Sequence, residues 1–228
     1  MVSITDKVTP RRQFMRNVGA GAMAIAAGAA GLRLEAEEPD VDELHASPFD
    51  ETWLTRLNGK HKQFFDATSV NESFPLVFAM AFLDANRSAY NLPDGQVTAV
   101  VGSRHMAVPF VLNDDIWSRY KVGEFFKIND PQTHAPATRN VFAHVRPGDL
   151  PFPGSSVNEL QARGVTFTAC NVAITVLGGM AAKAAGLPPE KARDEWVAGL
   201  LPGVVLVPAG VIAVNRAQER GCTYCYAG

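Results

Sequence analysis

The sequence predicts an α/β protein: a three-layer α/β/α arrangement around a mainly parallel five-stranded sheet. Three observations carry that expectation. Short runs rich in β-branched residues alternate with stretches of helical periodicity over most of the chain. The strand candidates read as continuous apolar runs rather than in/out alternation, as strands covered on both faces do. The composition is that of a globular protein, 47% hydrophobic and 19% charged over 228 residues.

The elements follow in order. Gln63-Phe64-Phe65-Asp66-Ala67-Thr68 reads as the first strand. Phe74 to Tyr90 places Leu76, Phe78, Ala79, Phe82 and Leu83 at helical spacing, and Asn91 and Pro93 end it. Asp94-Gly95 is a turn, and Val97 to Val101 is a buried-type strand. A helix over Asp114 to Gly123 starts at Asp114 or Asp115. Residues 124–155 then break the rhythm with Pro131, Pro136, Pro147, Pro151 and Pro153. A loop of that length in a compact domain is usually functional, a lid or an oligomer contact. The rhythm returns with a helix ending near Gly164, a strand over Val165 to Ala169, and helices over Val172 to Ala185 and about Pro189 to Leu200. Val204 to Val207, Val211 to Arg220 and Cys222 to Ala227 close the chain as strand, helix and strand.

The first 36 residues read as a targeting signal. Thr9-Pro10-Arg11-Arg12-Gln13-Phe14-Met15-Arg16 has the paired arginines and following Phe of a bacterial twin-arginine export signal. The uncharged run Val18 to Leu32 that follows has 15 residues, short of the ~20 that span a bilayer. Ala27, Ala29 and Ala30 offer cleavage sites. Such export delivers a folded protein to the periplasm, or leaves it membrane-anchored if the signal stays on. The signal holds five basic and two acidic side chains, so its removal takes the net charge from -2 to -5. Neither value suggests a nucleic-acid partner, and no membrane span is expected in the mature chain. Residues 37–54 read as a linker or N-terminal arm, and residues 55–228 as one domain.

In parallel α/β sheets ligands bind beyond the carboxyl ends of the strands, so the residues there are the site candidates. They are Asn71 after the first strand, Arg104 and His105 after the second, Cys170 and Asn171 after the third, and Gly210 after the fourth. Cys170 directly precedes a helix whose positive end would favour a thiolate, and Arg104 or His105 would supply positive charge or a proton. Asn171 would cap the helix. Cys222 and Cys225 have the spacing of a redox pair, but three residues along a strand separate Cα atoms by ~10 Å and turn the side chains to opposite faces. A disulfide needs ~7 Å or less, so the pair closes only if a turn interrupts the strand. His134 and His144 lie ten apart in the insertion, with His45 and His61 elsewhere; they offer a weak alternative as metal ligands, and no metal or cofactor is expected.

The stretch GVTFTACNVAI, with the later LLPGVVLVPAGVIAVNRAQERGCTYCYAG, resembles the DsrE/DsrF-like family of small sulfur-handling α/β proteins. The matching residues are Gly164, Val165, Phe167, Cys170, Val207, Pro208, Gly210, Val211, Gln218, Gly221 and Tyr224. The resemblance covers about 130 residues; the export signal, the proline-rich insertion and the Cys222–Cys225 tail depart from the pattern. It implies a trimeric or hexameric homo-oligomer and, in sulfur-relay members, a cysteine that carries persulfide sulfur between donor and acceptor proteins. Two function classes are therefore expected: sulfur transfer or thiol chemistry through Cys170, or a non-catalytic periplasmic binding or assembly module whose cysteine is structural.

Overall fold

A computed structural model describes residues 48–228. The twin-arginine segment and residues 37–47 of the 37–54 arm lie outside the described residues. Five strands form one all-parallel sheet, β1 (His61–Ser69), β2 (Val97–Met106), β3 (Thr166–Cys170), β4 (Val205–Val207) and β5 (Thr223–Tyr226), in the order β4-β3-β2-β1-β5.

That order explains the layers. From β1 to β4 the chain steps across the sheet in one direction, so right-handed crossovers put the intervening helices on one face. These are α1 (Phe74–Tyr90), α2 (Asp114–Arg119), α3 (Val122–Phe126), α4 (Val157–Ala162), α5 (Asn171–Ala185) and α6 (Pro189–Ala198). The return from β4 to β5 runs the opposite way, so α7 (Gly210–Glu219) covers the other face, beside the 3-10 turn Thr52–Arg56. Strand alternation matches this division. Phe65, Ala67, Val101, Phe167 and Ala169 pack with Leu76, Leu83, Ile174 and Trp196. Their chain neighbours Phe64 and Val100 pack with Trp53, Leu54, Ala213 and Ala217. The result is the three-layer α/β/α fold.

Two elements differ from the sequence reading. The segment Asp114 to Gly123 is two short helices, because Lys121 takes a left-handed conformation (φ 48) that an α-helix cannot contain. And β2 runs on to Met106, five residues past its apolar stretch, since its backbone pairs with β1 through Ser103 and Met106 and with β3 through Ser103.

The proline-rich insertion is fastened by buried polar groups rather than by regular structure. Asn140 donates from Nδ2 to the carbonyls of Pro109, Phe110 and Leu112 and accepts from the Phe142 N–H. Arg139 binds both oxygens of Asp149 at 2.7 Å and Asp130 at 3.0 Å. Among the described residues no single helix is long and apolar enough to cross a membrane.

Candidate functional site at the carboxyl edge of the sheet

The site is built where β1 and β2 fall out of register. Ala67 pairs with Ser103, but Ser69 pairs with Met106, so β2 carries one extra residue. His105 takes the left-handed conformation there (φ 50). Such a bulge bends the strand and re-aims its side chains. Arg104 thereby lies inside the strand rather than beyond it, on the α7 face. Gly210 starts α7 directly against it: a Cβ on Gly210 would come within 2.6 Å of the Arg104 Cβ and Cδ. Only a residue without a side chain lets Arg104 cross the helix start.

Arg104 reaches Asp66 on the neighbouring strand in a bidentate pair, Nε donating to Oδ1 at 2.7 Å and Nη2 to Oδ2 at 2.8 Å. The Asp66 side chain is 3% exposed and that of Arg104 29%. Tyr224 of β5 donates its hydroxyl to Asp66 Oδ2 at 2.8 Å. A buried carboxylate thus has three donors, as its desolvation requires. The Asp66 hydrogen bonds push the Arg104 pKa further up. Burial, followed by the Asp66 contact, raises that of Tyr224.

Cys170 ends β3 and caps α5. It is 6% exposed, and its Sγ accepts the Ala173 N–H at 3.3 Å. The adjacent Asn171 is tied down as well, its Oδ1 accepting from Arg193 Nε at 3.2 Å.

Of the residues singled out in the sequence, Arg104 and Gly210 meet here, and Cys170 ends the neighbouring strand β3 on the side of the large core. His105 is exposed on the bulge, and Asn71 is exposed in a left-handed run after β1. Cys222 and Cys225 are free thiols that pack into different layers, Cys222 on the α7 side and Cys225 against the large core. β5 keeps its strand geometry and the thiols face apart, as three residues along a strand require, so their spacing does not bring them together as a redox pair. Burial raises the pKa of both. Asp66 and Tyr224 were not anticipated as site residues. The available signal was Asp66 itself, a charge inside the apolar run Phe64–Ala67 that must find a partner when buried.

Among the described residues no group of three or more His, Cys, Asp or Glu side chains is placed to hold a metal. Clefts of about 500 and 570 Å³ open around Arg56 and Gly203, the larger at the amino ends of β2 and β3, away from this cluster.

No family model matches this chain, and no curated protein matches it. Among solved structures it is similar to the protein of unknown function MTH1491 from Methanobacterium thermoautotrophicum, at 20% identity over 73% of this chain and 98% of that one. The TM-score is 0.37, a likeness too distant to bear on function.

Proposed function

We propose that this chain is an exported, DsrE-like binding or assembly module that acts as a homo-oligomer in the periplasm, with Cys170 in a structural role. One observation carries the choice. The Cys170 sulfur caps α5 out of solvent and the Arg104 guanidinium is clamped on Asp66, while large apolar side chains on α5, and others on α7 and β5, stand in water. Val172, Val176 and Met180, at i, i+4 and i+8 on one face of α5, are each more than half exposed. Val211, Ile212 and Tyr226 are exposed at the starts of α7 and the end of β5. Apolar groups exposed together usually meet a partner. Light scattering on the mature chain tests the reading. A trimer or hexamer is expected, and the double variant Val176→Glu, Met180→Glu should lower its mass. A wild-type monomer at all concentrations contradicts it.

A second reading, sulfur transfer through Cys170, has its own support. The thiol stands at the start of a 15-residue helix, where its Sγ already meets a backbone N–H of the first turn, the position from which a nucleophilic sulfur is served by free helix donors. In that chemistry the Cys170 thiolate attacks the outer sulfur of a donor persulfide. The donor S–S bond breaks, the donor thiolate leaves, and Cys170 keeps the sulfur as a persulfide. The two readings differ in whether Cys170 is open to reagents in the assembled protein.

A further inference from the structure

A cleft of about 370 Å³ opens between the start of α1 and the proline-rich insertion. That volume falls within the range of small-molecule sites, ~300–1,000 Å³. Val141, Phe142 and Leu150 give it an apolar wall. Ser73 lines it too, is 1% exposed, and has no hydrogen-bond partner for its Oγ among the described residues. A buried hydroxyl left without a partner is rare in native folds and calls for an explanation.

The backbone holds Ser73 there under strain. Asn71, Glu72 and Ser73 have φ values of 36, 50 and 71, three successive non-glycine residues in the left-handed region. Conformations of that kind persist where surrounding structure enforces them, often at ligand clamps. Lys127 lines the cleft, exposed and without an ion pair among the described residues. The buried carboxylate on the wall, Asp149, has both oxygens bound by Arg139, a guanidinium that it shares with Asp130. Glu72, exposed at the rim, opposes a second negative charge on any occupant.

We propose that this cleft binds a small monocarboxylate with an apolar body. Its carboxylate accepts from the Ser73 hydroxyl and the Lys127 ammonium, and its body lies on Val141, Phe142 and Leu150. The site uses the insertion, which the assembly reading leaves without a task, and does not depend on that reading.

Calorimetric titration of the full chain with hexanoate, against hexan-1-ol as its neutral counterpart, tests the proposal. Hexanoate should bind saturably at one site and about tenfold more tightly than hexanol. Ser73→Gly and Lys127→Gln should each weaken hexanoate about tenfold. Glycine suits the φ of 71 at position 73, so Ser73→Gly removes the hydroxyl while holding or raising the unfolding temperature. Arg104→Lys, at the other cluster, should bind hexanoate like wild type. The proposal fails if hexanoate gives no saturable heat, if hexanol binds equally well, if either cleft variant binds like wild type, or if Arg104→Lys abolishes binding.

Discussion

Replacing Arg104 by methionine should destabilise the protein far more than replacing its partner Asp66 by asparagine. The difference follows from where the two groups sit. In Arg104→Met the Asp66 carboxylate, 3% exposed, keeps only the Tyr224 hydroxyl of its three donors. Removing one partner of a buried ion pair costs about 3–5 kcal/mol, because a charge stays behind without solvent. Arg104 is 29% exposed, so water enters its vacated path and the lower end, about 3 kcal/mol, is expected. In Asp66→Asn the charge left behind is the guanidinium, which can turn to solvent. The loss is then that of charge-assisted hydrogen bonds, about 1.5–2 kcal/mol. The double variant should cost about 1–2 kcal/mol less than the sum of the singles. Urea unfolding at neutral pH, followed by tryptophan fluorescence, measures all three. Equal costs for the two single variants, or less than about 1 kcal/mol for Arg104→Met, would refute the buried pair as the organiser of the carboxyl edge.

Gly210→Ala should cost about 1–3 kcal/mol in thermal unfolding, since its Cβ would press on the Arg104 stem. Gly179→Ala, where the added methyl meets nothing within 4 Å, should instead stabilise α5 by about 0.5–1 kcal/mol. The Arg163 hydrogen bond holds the Asp94 carboxyl below its ordinary 3.8, with Arg87 adding to it. A depressed carboxylate stabilises the fold above the unfolded value and loses that contribution as pH falls through the folded one. Arg163→Met should therefore be less stable than wild type at pH 7 by about 1 kcal/mol, with the gap closing below pH ~4. A gap equal at pH 7 and pH 3 would contradict the assignment. Replacing Arg11 and Arg12 by lysine should leave precursor in the cytoplasm, read on an immunoblot of cell fractions; unchanged export would show that the signal was misread.

Helical periodicity and local terminators were enough to place α1 at Phe74–Tyr90, because Asn91 and Pro93 follow the last apolar position. The strands were legible for a similar reason: β-branched runs such as Val97 to Val101 stand out against their flanks. What stayed hidden depends on contacts distant in sequence. The end of β2 carries no apolar strand signal because Gly102-Ser103-Arg104-His105 are small or polar, and the pairing with β1 and β3 makes them strand. Lys121 breaks a helix although lysine carries no signal for a positive φ. The site was half legible. The strand-end rule points to Arg104, Cys170 and Gly210, whereas Asp66 joins Arg104 through the pairing of β1 with β2, and Tyr224 through the placement of β5 beside β1. The separation of Cys222 and Cys225 needed nothing beyond strand geometry. The exposure of Cys170 could not be read in advance, since it is set by how the chain packs over the strand end.

The central claim, that Cys170 is a sealed structural residue at the edge of an assembly module, is tested most directly by intact-mass and peptide mapping of the native protein after exposure to a polysulfide donor and then to iodoacetamide. Cys170 should gain neither sulfur nor label until the protein is unfolded, while Cys225, only partly buried, is labelled in the native state. Sulfur added at Cys170 in the folded protein, or alkylation there faster than at a free thiol, would contradict it and favour sulfur transfer.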